Sequence, residues 1–314
     1  MNFAVVFPGQ GSQSVGMLAE LAQAHPVIGD TFAEAADVLG TDYWQLAQAG
    51  PDSELSDTRI TQPLMFVGGI AVWRALRQAG LPKPAAIAGH SLGEFSALVA
   101  SGALEYADGL KLVHRRATLM SAAIPAGEGG MAALIGMDDE DVVTLCADTT
   151  GTRIVEAVNF NAPGQVAISG HVDALEKAVV LAKERGARKA IMLAVSVPNH
   201  SSLMKDAGEQ LAETINSLTW HEPAFPVVQN AQAAVPANAD AMLESLRAHM
   251  FSPVQWTQSI QLLRDQFSVS CVVESGPGKV LSGLGKRIDR SMTNLPTESP
   301  DTFQKAIESI LESA

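Results

Sequence analysis

No stretch limits the fold of this chain as sharply as Gly89-His90-Ser91-Leu92-Gly93-Glu94, which follows directly on the apolar run Ala85-Ala86-Ile87-Ala88. G-x-S-x-G between a short buried strand and a helix is the pattern of a nucleophile elbow, a tight turn that lifts a serine Oγ above the end of a sheet. Gly89 and Gly93 have no Cβ, so the chain can reverse there and the new helix can pack on the strand it came from. The residues from Glu94 to Ala100 read as that helix. Ser91 then lies at a positive helix N-terminus, where an alkoxide or bound oxyanion is favoured. The motif alone recurs by chance, and it is the strand before and the helix after that give it weight.

With 314 residues, 47% of them hydrophobic, the chain can bury one large core, or one core and a small satellite. Cys146 and Cys271 lie far apart in apolar runs, offer no disulfide framework or metal-ligand spacing, and read as small core residues. The start, Met1-Asn2-Phe3-Ala4-Val5-Val6-Phe7-Pro8, has no basic leader, and no run approaches the roughly 18 apolar residues of a membrane span. A soluble cytoplasmic protein with no membrane partner is the expectation. A net charge of −13 argues against nucleic acid, whose phosphates require clustered cations. It leaves room for a small anion, because basic residues gather at Arg115 and Arg116, from Lys183 to Lys189, and at Lys279, Lys286, Arg287 and Arg290.

The opening strand, Phe3 to Phe7, runs into Pro8-Gly9-Gln10-Gly11-Ser12-Gln13, a loop whose glycines let backbone N–H groups approach a ligand. It is a poor dinucleotide fingerprint, since Ser14 stands where the third glycine belongs. Helical periodicity covers Ile28 to Leu39, Pro63 to Gln78 and Ala107 to Ile124. From Met131 to Val195 the elements shorten: strand Met131 to Gly136, helix Asp138 to Ala147, strands Arg153 to Phe160 and Gln165 to Ser169, helix Val172 to Arg185, strand Arg188 to Val195. That β-α-β-β-α-β order is the signature of a ferredoxin-like module. A helix from Ser201 to Leu218, a strand near Pro226 to Gln229, helices around Met242 and Ile260, and a strand from Ser270 to Glu274 return the chain to the larger layer. The expected fold is α/β: a larger, α/β-hydrolase-like subdomain with a parallel-sheet core, residues 1–127 and 197–314, and a small inserted ferredoxin-like subdomain, residues 128–196.

A serine hydroxyl needs a base, and seven histidines are available. His90 is adjacent in the turn, where its side chain should point away from that of Ser91. His25, His114, His171 and His221 sit in polar, turn or helical surroundings. His200 follows the apolar strand and Pro198 and precedes the helix start Ser201-Ser202, the kind of strand-to-helix end where catalytic groups collect, although a structural role fits it as well. No Asp or Glu is picked out by spacing as its orienter, and a backbone carbonyl can do that job. The N–H of Leu92 is one candidate oxyanion donor, and the Gly9-Gln10-Gly11 turn offers a second or is simply a tight turn. On the helix near Ala107 to Ile124, Arg116 lies about 80° from the centre of the apolar stripe, while Arg115 faces away. A guanidinium on that flank must find an anion, either an internal carboxylate or a substrate.

The segments Phe7-Pro8-Gly9-Gln10-Gly11-Ser12-Gln13, Thr61-Gln62-Pro63, the G-H-S-L-G-E elbow, Arg116 with Met120, Asn159 to Gln165, Val197-Pro198-Asn199-His200, Pro253-Val254-Gln255-Trp256 and Glu274 to Gly278 together resemble the malonyl-CoA:acyl carrier protein transacylase family nearly end to end. The resemblance implies a ping-pong transfer for fatty acid biosynthesis. Ser91, with His200 as base, would take malonyl from malonyl-CoA and pass it to the phosphopantetheine thiol of acyl carrier protein. It implies oxyanion donors at Gln10 and Leu92, a malonyl carboxylate held by Arg116, a pocket shared by Gln62 and Met120, and no metal or redox cofactor; a monomer is the expectation, although the sequence does not fix the oligomeric state. The basic cluster Lys279, Lys286 and Arg287 is the expected docking face for an acidic carrier protein. Two positions depart from the family: Asn199 stands where Ser is common, and His249 where Gln is usual. The backbone carbonyl at 249 is the expected orienter of the base, with the His249 side chain a minor rival for a pocket role. The alternatives are a serine thioesterase or esterase that uses water, and an inactive carrier-protein docking module.

Overall fold

The computed structural model describes residues 2–312, and among them nine strands run in chain order: β1 Phe3–Phe7, β2 Ala86–Gly89, β3 Gly129–Ile135, β4 Val155–Ala162, β5 Gln165–His171, β6 Lys189–Met192, β7 Val227–Val228, β8 Cys271–Glu274 and β9 Thr293–Pro296. Five of them form one parallel sheet in the order β7-β2-β1-β8-β9. The other four form a separate antiparallel sheet in the order β4-β5-β3-β6.

The central strand β1 is buried along its whole length, as a strand covered on both faces must be. Its alternation divides the core. Phe3, Val5 and Phe7 join the cluster beneath helices Thr58–Gln78 and Tyr106–Ala122, whereas Ala4 and Val6 join the cluster beneath helices Trp256–Phe267 and Val280–Ile288. The antiparallel sheet carries its own two helices on one face. Ala132 and Leu134 of β3 pack with Val142, Leu145, Leu175 and Ala178 of helices Asp139–Thr149 and Val172–Glu184. The opposite face, with Met131 and Ala167, turns toward the larger sheet and lines a cavity.

The strands and helices read from the sequence recur with shifted bounds, and the shifts have local causes. The helix expected from Pro63 begins at Thr58, because Asp57 caps it by accepting the Arg59 N–H at 2.9 Å. The helix expected from Ser201 opens as a 3₁₀ turn, Ser202–Met204, and becomes α-helical at Lys205; Ser202 is tied to the Glu156 carboxylate through both its N–H and its hydroxyl, at 2.6 and 2.7 Å. Strand β6 ends at Met192, three residues early, and Leu193 and Val195 turn into the cavity wall instead. Cys146 and Cys271 are free and buried. Among the described residues no helix is long and apolar enough to cross a membrane.

Candidate active site

The elbow depends on three close backbone approaches that only glycine permits. A Cβ on Gly89 would lie 1.9 Å from the Gly93 carbonyl carbon, one on Gly93 would lie 2.1 Å from the Phe7 oxygen, and one on Gly9 would lie 2.6 Å from the His90 oxygen. The loop after β1 and the turn after β2 are thereby clamped together at the C-terminal ends of adjacent parallel strands, where α/β sheets place their ligands. Ser91 sits at the apex with φ 51°, in the left-handed region, and helix Gly93–Ala100 follows at once.

Ser91 Oγ lies 2.6 Å from His200 Nε2. The other ring nitrogen, Nδ1, lies 3.0 Å from the carbonyl oxygens of both His249 and Ser252. Carbonyls can only accept, so Nδ1 carries the proton and Nε2 presents its lone pair to the serine hydroxyl. Burial, with the nearby charges of Arg116 and His90, pushes the His200 pKa down to about 3, so the imidazole is neutral across the ordinary pH range. Among the described residues no carboxylate takes part in orienting it. The His249 ring packs edge-on between Phe95 and the His200 ring, its centroid 5.3 Å from each, with Nε2 3.8 Å from Glu94 Oε2, so this position meets the base through both its carbonyl and its imidazole.

Arg116 is 1% exposed, whereas Arg115 faces solvent, as helix periodicity requires. Its Nη1 donates to Gln62 Oε1 at 2.5 Å and its Nη2 to Ser91 Oγ at 3.4 Å; among the described residues Nε has no hydrogen-bond partner. Gln62 is oriented for this by Met120, whose Sδ accepts from Gln62 Nε2 at 3.3 Å. Among the described residues no carboxylate lies within ion-pair distance of Arg116, and burial pulls its pKa down to about 9 against the attraction of Glu94. The internal salt bridge that the sequence left open is absent among the described residues. What the site holds is a desolvated guanidinium with unused donors, beside a nucleophile, lacking an anion.

A cavity of about 180 Å³ joins these groups. Gln10, Ser91, Leu92, Arg116 and His200 come from the larger body, and Met131, Asn161, Gln165, Leu193 and Val195 from the small sheet and its connections. Among the described residues the N–H groups of Gln10 and Leu92 have no acceptor, which leaves both free for an oxyanion. His90 also lines the cavity, its Nε2 2.7 Å from Asn161 Oδ1. Gln62, Met120 and the His249 carbonyl thus lie around the same centre as Ser91, His200 and Arg116. Sequence reading did not single out Asn230, Gln229 or the Ser252 carbonyl. Asn230 follows the two-residue strand β7, and its place at a parallel strand end is the one signal that points to it.

Over residues 4–291 the chain matches the family described as acyl transferase domain. It is 45% identical over 307 residues to the malonyl CoA-acyl carrier protein transacylase of Escherichia coli K12, spanning 98% of this chain and 99% of that one. The crystal structure of a malonyl-CoA:acyl carrier protein transacylase from Xanthomonas oryzae superposes with a TM-score of 0.95 at 47% identity, covering 98% of this chain and 99% of that one. A complex described as a type II PKS acyl-carrier protein with its malonyl-transacylase matches with a TM-score of 0.96 at 43% identity, covering 98% of this chain and 100% of the other.

Proposed function

The chain belongs to the acyl transferase domain family, and within it we propose that the protein transfers malonyl from malonyl-CoA to the thiol of acyl carrier protein by way of an ester on Ser91. The observation that carries this reading is the convergence on one oxygen: Ser91 Oγ is 2.6 Å from a lone-pair nitrogen of His200 and 3.4 Å from the unpaired guanidinium of Arg116.

In the first half-reaction His200 Nε2 takes the hydroxyl proton as Ser91 Oγ bonds to the thioester carbon. The carbonyl oxygen becomes an oxyanion facing the N–H groups of Gln10 and Leu92. Collapse breaks the carbon–sulfur bond, and the leaving thiolate of coenzyme A receives the proton from His200. The carrier thiol then repeats the sequence in reverse, giving its proton to His200 and regenerating the serine. Arg116 grips the far carboxylate of malonyl in place of its missing counter-ion, with Gln62 and Met120 fixing the angle of the guanidinium. Proton and electron balance close without a metal or redox group.

The small sheet is best described as an inserted ferredoxin-like subdomain, residues 128–196, on an α/β-hydrolase-like body; its strand order and two covering helices support this. Carrier docking on the basic face is supported by position. Val280, 47% exposed, lines the cavity mouth next to Lys279, and Arg287 reaches the cavity-lining Gln165 at 2.7 Å. The test is incubation with malonyl-CoA, with and without holo acyl carrier protein, followed by intact mass and thiol release. A malonyl adduct on Ser91 that discharges to the carrier is expected. Discharge to water faster than to the carrier would favour a thioesterase, and no adduct at all a silent docking module.

A further inference from the structure

Ser91 occupies a backbone conformation that a residue with a Cβ does not hold unaided, at φ 51°. The groups that hold it come from outside its own turn. Asn230 Oδ1 accepts the Ser91 N–H at 2.7 Å, and Asn230 Nδ2 donates to the Gly89 carbonyl at 2.6 Å, so one side-chain amide grips the elbow at both ends. That amide is fixed in turn. The Asn230 N–H donates to Glu94 Oε2 at 2.7 Å, while Gln229 Nε2 donates to Glu94 Oε1 at 3.2 Å and to the Met242 carbonyl at 3.1 Å. Asn230 is 2% exposed and Glu94 not at all, so water cannot take over any of these bonds.

The reaction needs Ser91 Oγ, His200 Nε2 and the Leu92 N–H in fixed relation. Rotation of the peptide between Ser91 and Leu92 would swing the Leu92 N–H off the position where the oxyanion forms while leaving the cavity intact. We propose that Asn230, braced by Glu94, is a positioning residue that fixes the Ser91–Leu92 turn in its reactive geometry. It touches no reacting atom; it acts through the main chain of the nucleophile. The proposal rests on the reading of Ser91 as the acylated residue.

The test compares Asn230→Ala with the unaltered protein in single-turnover acylation by malonyl-CoA, read by intact mass. Malonyl-CoA affinity is measured calorimetrically with Ser91→Ala also present. Acylation is expected to slow about 100-fold while the affinity stays within about threefold, a split that loss of folding alone would not produce. Glu94→Gln keeps the shape but turns one acceptor into a donor, and a loss of about tenfold is expected. Because Glu94 acts through Asn230, that loss should vanish in the double variant. A folded Asn230→Ala that acylates within threefold of the unaltered protein overturns the proposal, and so do losses that multiply in the double variant. Should Asn230→Ala not fold, Asn230→Asp carries the same test, since it keeps an acceptor for the Ser91 N–H and loses the donor to Gly89. An unaltered protein that forms no ester overturns the functional reading and this one together; ester formation with an unimpaired Asn230→Ala overturns this one alone.

Discussion

The parallel-sheet body and the small antiparallel sheet face each other across one cavity and contribute to it in different ways. Every polar group placed to handle charge comes from the body: Ser91 and Leu92 after β2, Gln10 after β1, Arg116 on helix Tyr106–Ala122, and His200 beyond β6 where the chain returns. The small sheet and the segment after it present uncharged side chains, the apolar Met131, Ala167 and Leu193 and the amides of Asn159, Asn161 and Gln165. Burial differs as well. The body carries two fully buried carboxylates near the ends of its strands, Glu94 and Glu274, and among the described residues the small sheet carries none. Charge chemistry requires a rigid, desolvated frame, which a doubly covered parallel sheet supplies; a sheet covered on one face has its other face free to act as a wall.

The comparison breaks most visibly at the nucleophile. Ser91→Ala should lower malonyl transfer by about four orders of magnitude or more while malonyl-CoA still binds, as calorimetry on the variant would reveal; substantial residual transfer would mean that the reacting group lies elsewhere. Arg116→Ala should cost malonyl transfer about 2 to 4 kcal/mol and narrow the preference for malonyl-CoA over acetyl-CoA in paired kinetics. An unchanged preference would remove the cation from substrate selection.

A smaller effect, confined to the body, concerns pH. Glu274 Oε1 and Oε2 accept the N–H groups of Leu281 and Ser282 at 3.0 and 2.7 Å, yet burial pushes its pKa up from 4.5 to about 7. Glu94 is pushed to about 7 for the same reason. A carboxyl that binds its proton more tightly when folded adds stability that is complete below the unfolded value and declines as pH rises from about 4.5 to about 7. Glu274→Gln should therefore narrow the gap in unfolding free energy between pH 5 and pH 8 by an amount on the order of 2 kcal/mol; an unchanged gap in scanning calorimetry would remove Glu274 as its source. Smallest of all, Asn161→Ala on the small sheet should weaken malonyl-CoA binding by about threefold with the acylation rate at saturation kept within about twofold. A loss of rate rather than affinity would give the small sheet a share in the chemistry.

What could be read in the sequence was whatever rests on local constraint. The elbow is set by glycines whose spacing leaves no alternative close approach, and Arg116 was separated from Arg115 by helix periodicity alone. The order of elements from β3 to β6 was likewise visible in short alternating runs. Strand β9 was not, because Thr-Asn-Leu-Pro has neither alternation nor length and becomes a strand only by pairing with β8. Helix Pro300–Leu311 went unread although Ser299 and Thr302 form its capping box, with Thr standing where Glu or Gln is the usual sign. Asn230 illustrates the deeper limit. It meets Ser91 across 139 positions of chain, and no window of sequence contains both.

The two carbonyls that steady the His200 ring belong to the main chain, at His249 and Ser252. A support made of peptide groups is indifferent to which side chains hang from it, so replacement at either place leaves the tautomer unaltered unless the loop itself is displaced. Position 249 therefore sets the tautomer through its peptide group alone, while its imidazole lies edge-on to the His200 ring and shapes how that ring is packed. Drift in the sequence at this corner can alter what packs against the base without altering which of its nitrogens carries the proton.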